Sequence, residues 1–125
     1  MHYDRRYLLW ALSYAAAGMA LGIFMAASHN HGQLVTHAHI LLVGFVVSLI
    51  YAVIHKLWLG SKPPKLARAQ FVMHQAGALV MAVGLFLLYG RFVAEATLDP
   101  MLALASITVF AGVLTMFYMV HKSRV

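Results

Sequence analysis

The chain has 125 residues, of which 63% are hydrophobic and only 10% are charged, and its formal net charge is +6. A soluble domain of this length carries about 25% charged residues, so the composition favours a membrane protein. The absence of cysteine excludes a disulfide framework, an iron–sulfur cluster and thiolate-bound zinc. The basic residues lie in short segments between apolar runs, so membrane topology explains the charge better than nucleic-acid binding does.

Four apolar runs of membrane-spanning length follow one another along the chain. A helix rises about 1.5 Å per residue, so about 20 residues cross the hydrocarbon core of a bilayer. We predict an all-α, four-helix transmembrane bundle that forms one integral-membrane domain over residues 1–125. Its spans cover residues 8–27, 34–55, 69–90 and 100–120. Pro63 and Pro64 separate the second span from the third, and we place Pro100 in the first turn of the fourth.

The basic residues predict the orientation of these spans. Four spans place both termini on one side of the membrane, and Arg91 is the one basic residue on the other side. The remaining basic residues share the side of the termini: Arg5, Arg6, Lys56, Lys62, Lys65, Arg68, Lys122 and Arg124. By the positive-inside rule, we predict a multi-pass protein of the cell inner membrane with both termini cytoplasmic. The aromatic residues near the span ends predict an interfacial belt: Tyr7, Trp10, Trp58 and Tyr89.

Histidine is the richest source of ligands in the chain, with eight residues. An imidazole inside a membrane is energetically expensive and usually functional. His37 and His39 open the second span, and His55 closes it. Because a helix turns about 100° per residue, His37 and His39 point about 200° apart and cannot bind one metal ion together.

The two faces of the second span differ in composition. The face of His37 continues through small and polar residues, which predicts that it faces the bundle interior: Leu41, Gly44, Ser48, Tyr51 and His55. The face of His39 is aliphatic: Val43, Val46, Ile50 and Val53. On this face, His39 either reaches the outer membrane interface or is covered by a cofactor or a neighbouring subunit.

Glycine spacing predicts two further close-packing surfaces. In the third span, Gly77, Met81 and Gly84 continue the face of His74 and leave a flat strip for a porphyrin or another helix. In the first span, Gly18 and Gly22 form a G-x-x-x-G motif, which either admits a neighbouring helix or reflects ordinary glycine usage.

Two other sets of histidines are candidate metal ligands. His55, His74 and His121 either meet near the cytoplasmic end as a second ligand set or lie separately at the interface. His29 and His31 either load a metal from outside or belong to a solvated loop. The sequence has no nucleophile motif, no glycine-rich phosphate loop and no pair of intramembrane acids, which leaves haem, copper or zinc.

At His37-Ala38-His39 the sequence resembles subunit I of the heme-copper oxidases, the family of cytochrome c oxidase. In that family a transmembrane helix opens at the outer face with His-x-His, continues through a glycine and often closes with a histidine and an aromatic residue. The corresponding residues here are Gly44, His55 and Trp58. The resemblance implies that His39 is an axial ligand of a low-spin haem and that His37 serves a second site.

The layout of the spans extends this resemblance. The large oxidase subunit has twelve spans in three arcs of four, and its haem-binding helices are the second of their arcs. This chain resembles one arc, which implies a homo-oligomer, either a trimer or a dimer. The family's His-Pro-Glu-Val-Tyr-like helix and His-His pair are missing from the sequence, so the resemblance does not imply a complete oxidase that reduces oxygen or pumps protons.

Together these observations predict a haem b-binding membrane protein that carries electrons or senses a redox or gas ligand, with His39, His37 and His74 as cofactor ligands. Its expected partners are the lipid bilayer, other copies of the chain and respiratory-chain proteins, and no nucleic acid. One alternative is a copper- or zinc-binding membrane protein that uses His29, His31 and His37. Another is a non-catalytic structural or assembly subunit that lies against oxidase helices through its G-x-x-x-G face.

Overall fold

The computed structural model describes residues 2–60 and 62–123. These residues form four long helices: α1 is Tyr3–Ser28, α2 is Leu34–Leu59, α3 is Leu66–Tyr89 and α4 is Glu95–Lys122. All four are long and apolar enough to cross a membrane. The predicted all-α architecture with four spanning helices is therefore confirmed.

The helices extend beyond the apolar runs from which they were predicted. α1 begins at Tyr3 rather than at residue 8, because Arg5 and Arg6 continue the helix with exposed side chains. α4 begins at Glu95, whose carboxylate suits the positive end of the helix dipole. Pro100 consequently lies inside α4, and its predicted place in the first turn is wrong. Hydropathy predicts only the apolar part of each helix. The helical backbone hydrogen bonds extend beyond that part into the neighbouring polar residues.

α2 contains two π-helical stretches, Ile40–Val46 and His55–Leu59. A π-helix forms its hydrogen bonds between residues i and i+5, and such stretches occur frequently at functional sites. The first stretch begins directly after His39, and the second begins at His55. Both interruptions therefore adjoin histidines that the sequence singled out.

The four helices pack as two hairpins, α1 with α2 and α3 with α4, and α2 contacts α3 between them. The G-x-x-x-G motif of α1 faces α2. A Cβ on Gly18 would lie 2.5 Å from Leu41 Cδ2, and a Cβ on Gly22 would lie 2.9 Å from His37 Cε1. Of the two alternatives for this motif, it therefore admits a neighbouring helix, and that helix belongs to the same chain.

The core differs between the two ends of the bundle. We call the end that carries the first residues of α1 and the α2–α3 loop the basic end, and the opposite end the far end. At the basic end all four helices meet around one cluster of buried residues: Tyr3, Tyr7, Tyr51, Ala52, Leu59, Ala67, Met116 and Met119. Towards the far end a smaller cluster of Met81, Leu85 and Ala105 joins α3 to α4, with Val43 of α2 against it.

Candidate functional site

The interior of the bundle is polar over much of its length. On α2 the residues Gly44, Ser48, Tyr51 and His55 are all buried, which confirms the predicted inward face for these four positions. Leu41 and His37, nearer the start of the helix, are half-buried. The prediction assumed a regular α-helix with the same number of residues per turn throughout α2. The π-helical stretch that follows His39 has more residues per turn, so the positions before it do not continue the buried face regularly.

A series of hydrogen bonds links α1, α2 and α3 through this interior. The Tyr14 hydroxyl donates to Gln75 Oε1 at 2.8 Å, and Gln75 Nε2 donates to Ser48 Oγ at 3.3 Å. Ser48 Oγ lies 3.1 Å from His74 Nε2. The His74 side chain is 0% exposed, so this imidazole lies entirely inside the protein.

A second pair of hydrogen bonds brings in α4. The Tyr7 hydroxyl donates to Gln70 Oε1, and Gln70 Nε2 donates to the Gly112 carbonyl at 3.2 Å. We call the six side chains of these two groups the polar core: Tyr7, Tyr14, Ser48, Gln70, His74 and Gln75. Hydrogen bonds between transmembrane helices replace contacts that water would otherwise supply, so the polar core fixes how the four helices meet.

Aromatic rings surround the Tyr7 end of the polar core. The Tyr7 ring centroid lies 5.3 Å from Tyr51, 5.6 Å from His55 and 6.2 Å from His74. Tyr51 packs edge-on against His74 at 5.0 Å, and Tyr3 lies 5.4 Å from His55. His55 is thus placed between two tyrosine rings, and Tyr51 between His74 and Tyr7.

The two tyrosines of α1 in this arrangement were not predicted from the sequence. Tyr7 was predicted to lie in an interfacial belt, but its side chain is 0% exposed and bonded to Gln70, so that prediction is wrong. Tyr7 and Tyr14 are seven residues apart, about two helical turns, and share the buried face of Ala11 and Gly18. That spacing is the signal that could have identified them.

The His37 and His39 rings bond to different carbonyl groups. His37 is held between α1 and α2, where its Nδ1–H donates to the Gly18 carbonyl at 2.8 Å. The Nδ1–H of His39 donates to the Val35 carbonyl of its own helix at 2.8 Å. A carbonyl oxygen only accepts, so Nδ1 carries a proton in both rings, and in the neutral imidazole Nε2 is then the nitrogen with a lone pair. Metal-ligating histidines are typically held in this way.

The surroundings of His39 are apolar and open. His39 is half-buried, and Leu42, which follows it, is 60% exposed. Val46, Ile50 and Val53 are exposed along the same helix, and in a membrane they face lipid or another protein surface. The predicted aliphatic outward face is therefore present at these positions, whereas Val43, predicted on the same face, is half-buried against the cluster of Met81, Leu85 and Ala105.

The glycine strip beside His74 is filled by a helix. A Cβ on Gly77 would lie 2.8 Å from Val109 Cγ2, and a Cβ on Gly84 would lie 2.7 Å from Leu102 Cδ2. Of the two predicted occupants, α4 rather than a porphyrin lies on this strip. The His74 imidazole itself points to Ser48 on α2 and belongs to the polar core.

The remaining histidines do not assemble into ligand sets. His121 is exposed and stacks on Phe117, whereas His55 and His74 are buried, so these three histidines neither form one ligand set nor all lie at the interface. His29 and His31 are exposed beyond the end of α1. Within residues 2–60 and 62–123, no three histidine, aspartate or glutamate side chains are grouped so that they could hold a metal ion.

No protein family, curated protein or solved structure matches the chain. Within the bundle, α2 already covers the G-x-x-x-G face, so this face is not free to receive an oxidase helix, which the assembly-subunit hypothesis requires.

Proposed function

We propose that the chain is a b-type haem protein of the membrane in which the His39 imidazole would hold the iron. The observation that supports this proposal is the hydrogen bond from His39 Nδ1 to the Val35 carbonyl. It fixes the ring orientation and leaves the Nε2 lone pair for iron, on a face of the helix that no other part of the bundle fully covers.

The residues around His39 fit an apolar, planar group. Leu42 and Val46 are exposed along the same helix and offer aliphatic surface to a macrocycle. The Val35 carbonyl keeps Nδ1 protonated and raises the electron density on Nε2. A bound haem would supply reversible one-electron chemistry or a gas-binding iron, and the chain would supply its position and its apolar surroundings.

His37 is the second candidate ligand and His74 the third. His37 has the same hydrogen-bonding pattern as His39, but its ring lies between α1 and α2 against Gly22. His74 engages its Nε2 with Ser48. We rank His39 first because its Nε2 is neither bonded to a side chain nor enclosed between helices of the chain.

The outward position of His39 supports a homo-oligomer. In this proposal a second copy would contribute the residues that complete the haem site, in a dimer or in a trimer. The distribution of basic residues supports an inner-membrane location with both termini cytoplasmic. Respiratory-chain proteins are the proposed electron partners, as the resemblance to the oxidase subunit implies.

Absorption spectroscopy of the purified protein tests the proposal. We expect a Soret band and reduced-minus-oxidised bands of b type, and we expect His39→Ala to abolish them. His29→Ala is the matched control, because His29 is an exposed histidine beyond the end of α1. Size-exclusion chromatography and circular dichroism of each variant test whether the fold is retained.

The other outcomes of this experiment are equally informative. If His37→Ala removes the haem and His39→Ala does not, the two faces of α2 are assigned the wrong way round. A colourless protein with stoichiometric copper or zinc would support the metal-binding alternative. A colourless protein without metal would contradict both and favour a structural role.

A further inference from the structure

A groove runs between α1 and α2 at the basic end of the first hairpin. Its volume of about 490 Å³ lies in the range of small-molecule sites in proteins. Its apolar lining comes from one side of each helix: Leu8, Leu49, Ala52, Val53 and Leu57. Leu8, Val53 and Leu57 are exposed, so the groove opens to the surroundings of the bundle and not to the polar core.

The charged side chains of this groove, Asp4, Arg5 and Lys56, lie together at its basic end. α1 begins at the basic end and α2 returns to it, so Leu8 and Leu49 lie deeper along the groove than these three residues. Asp4 Oδ1 accepts a hydrogen bond from the backbone N–H of Arg5 at 2.8 Å, and its charge suits the start of the helix. Two cations and one acid therefore leave a positive charge at this end.

A second cavity adjoins the groove at the charged end. It has a volume of about 290 Å³, and Asp4 and Lys56 line both spaces. Its further lining includes the polar side chains of His2 and Tyr3 and the loop at Gly60. A polar space thus lies next to an apolar groove, with Lys56 between them. This arrangement matches an amphiphile that has a polar headgroup and a hydrocarbon tail.

We propose that the groove binds one anionic phospholipid, with the phosphate at Arg5 and Lys56, the headgroup in the second cavity and an acyl chain along the apolar lining. Basic pockets between transmembrane helices bind anionic headgroups in this way. The Arg5 guanidinium can bond two phosphate oxygens, and the Lys56 ammonium supplies a compact positive charge. From Lys56 to Leu49 the helix rises about 10 Å, whereas one leaflet has roughly 15 Å of hydrocarbon. The acyl chain therefore continues past the groove into the bilayer.

A second copy of the chain fits this face less well than a lipid does. Copies in one membrane share one orientation, so a symmetric contact through the groove would bring Arg5 and Lys56 of both copies to the same end. Like charges that meet across an interface weaken binding, whereas the phosphate of a lipid neutralises them. The charge at the end of the groove therefore favours an anionic amphiphile.

Native mass spectrometry of the full chain tests this inference and does not depend on bound haem. The purified, delipidated protein is titrated with phosphatidylglycerol or with phosphatidylcholine of the same acyl chains. A cation near the membrane surface strengthens the binding of an anionic lipid about fivefold. With two cations, we expect one phosphatidylglycerol to bind at least about tenfold more tightly than phosphatidylcholine. Equal binding of the two lipids would overturn the proposal.

Substitutions at the charged end separate this site from general surface charge. We expect Arg5→Gln and Lys56→Gln each to weaken phosphatidylglycerol binding about fivefold. Arg6→Gln is the matched control, because it removes the same charge one residue away. Arg6 does not line the groove, and its guanidinium carbon lies 5.8 Å from the Tyr3 ring centroid. We expect this control to leave the binding nearly unchanged, and an equal loss from Arg5→Gln and Arg6→Gln would overturn the assigned site.

A substitution inside the groove tests the position of the acyl chain. In Val53→Trp the indole fills the groove, and we expect binding to weaken at least as much as in Lys56→Gln. Val113→Trp on α4 is the control, because Val53 and Val113 are each 44% exposed. Should Val53→Trp lose its helical structure by circular dichroism, Leu57→Trp provides the same comparison at a more exposed position.

Two results of the groove substitution would overturn the proposal. The first is phosphatidylglycerol binding that is unchanged in Val53→Trp. The second is a wild-type oligomer that Val53→Trp dissociates while lipid binding persists, because the groove then belongs to an interface between copies of the chain. The same mass spectra report both the bound lipid and the number of copies.

Discussion

At Gly44 of α2, an added Cβ would lie 2.6 Å from both Cγ and Cδ1 of the Tyr14 ring, and 3.0 Å from Tyr14 Cβ. These atoms lie close to the Tyr14 backbone. Rotation of the outer part of the side chain therefore cannot move them away from the added Cβ. The Tyr14 hydroxyl is also held by Gln75. A methyl group at position 44 therefore has to displace α1 from α2 or break the polar core.

We expect Gly44→Ala to destabilise the protein by about 1–3 kcal/mol, the usual cost of overpacking a core. Gly112→Ala is the matched control, because its Cβ would lie no closer than 3.7 Å to any atom of His74. Alanine favours a helix over glycine by about 1 kcal/mol, so the control should be neutral or stabilising. Unfolding of both variants in detergent by circular dichroism measures the difference, and equal stabilities would contradict the close packing at Gly44.

At the element scale, the sequence predicted the four helices well and the interior of α2 in part. Apolar length located every span, and the spacing of Gly44, Ser48, Tyr51 and His55 located the inward face. The π-helical stretches were beyond prediction, because they depend on backbone hydrogen bonds and on packing between helices rather than on composition. For the same reason, the sequence did not show that Gln70 and Gln75 pair with tyrosines of α1.

The π-helical stretch Ile40–Val46 sets the rotation of His37 and His39 relative to Ser48 and His55. Deleting Leu42, which is exposed, should restore regular helical bonding and change both the rotation and the separation of the two halves of α2. We expect this deletion to lower the thermal unfolding temperature markedly. Leu42→Ala removes most of the same side chain but keeps the residue count, so it is the control. If both variants unfold at the same temperature, the π-helical stretch does not align the two faces.

At the scale of the whole molecule, the side of the membrane on which the basic end lies can be measured directly. Because the basic residues cluster at that end, we expect a fluorescent-protein fusion after residue 125 to be fluorescent and an alkaline phosphatase fusion there to be inactive. Fusions placed after Arg91 should show the opposite pattern. Phosphatase activity at the C-terminus would reverse the predicted orientation.

The hydrogen bonds of the polar core also bear on the order of assembly. Tyr7 with Gln70, Tyr14 with Gln75 and Ser48 with His74 all join the first hairpin to the second. Each hairpin inserted alone would expose these side chains to lipid, at a cost of about 0.6 kcal/mol for each unformed interhelical bond. Docking of the two hairpins forms these hydrogen bonds together. A truncated product that ends after α2 would therefore retain unpaired polar side chains. Quality-control proteases of the membrane can distinguish such a product from the finished protein by these side chains.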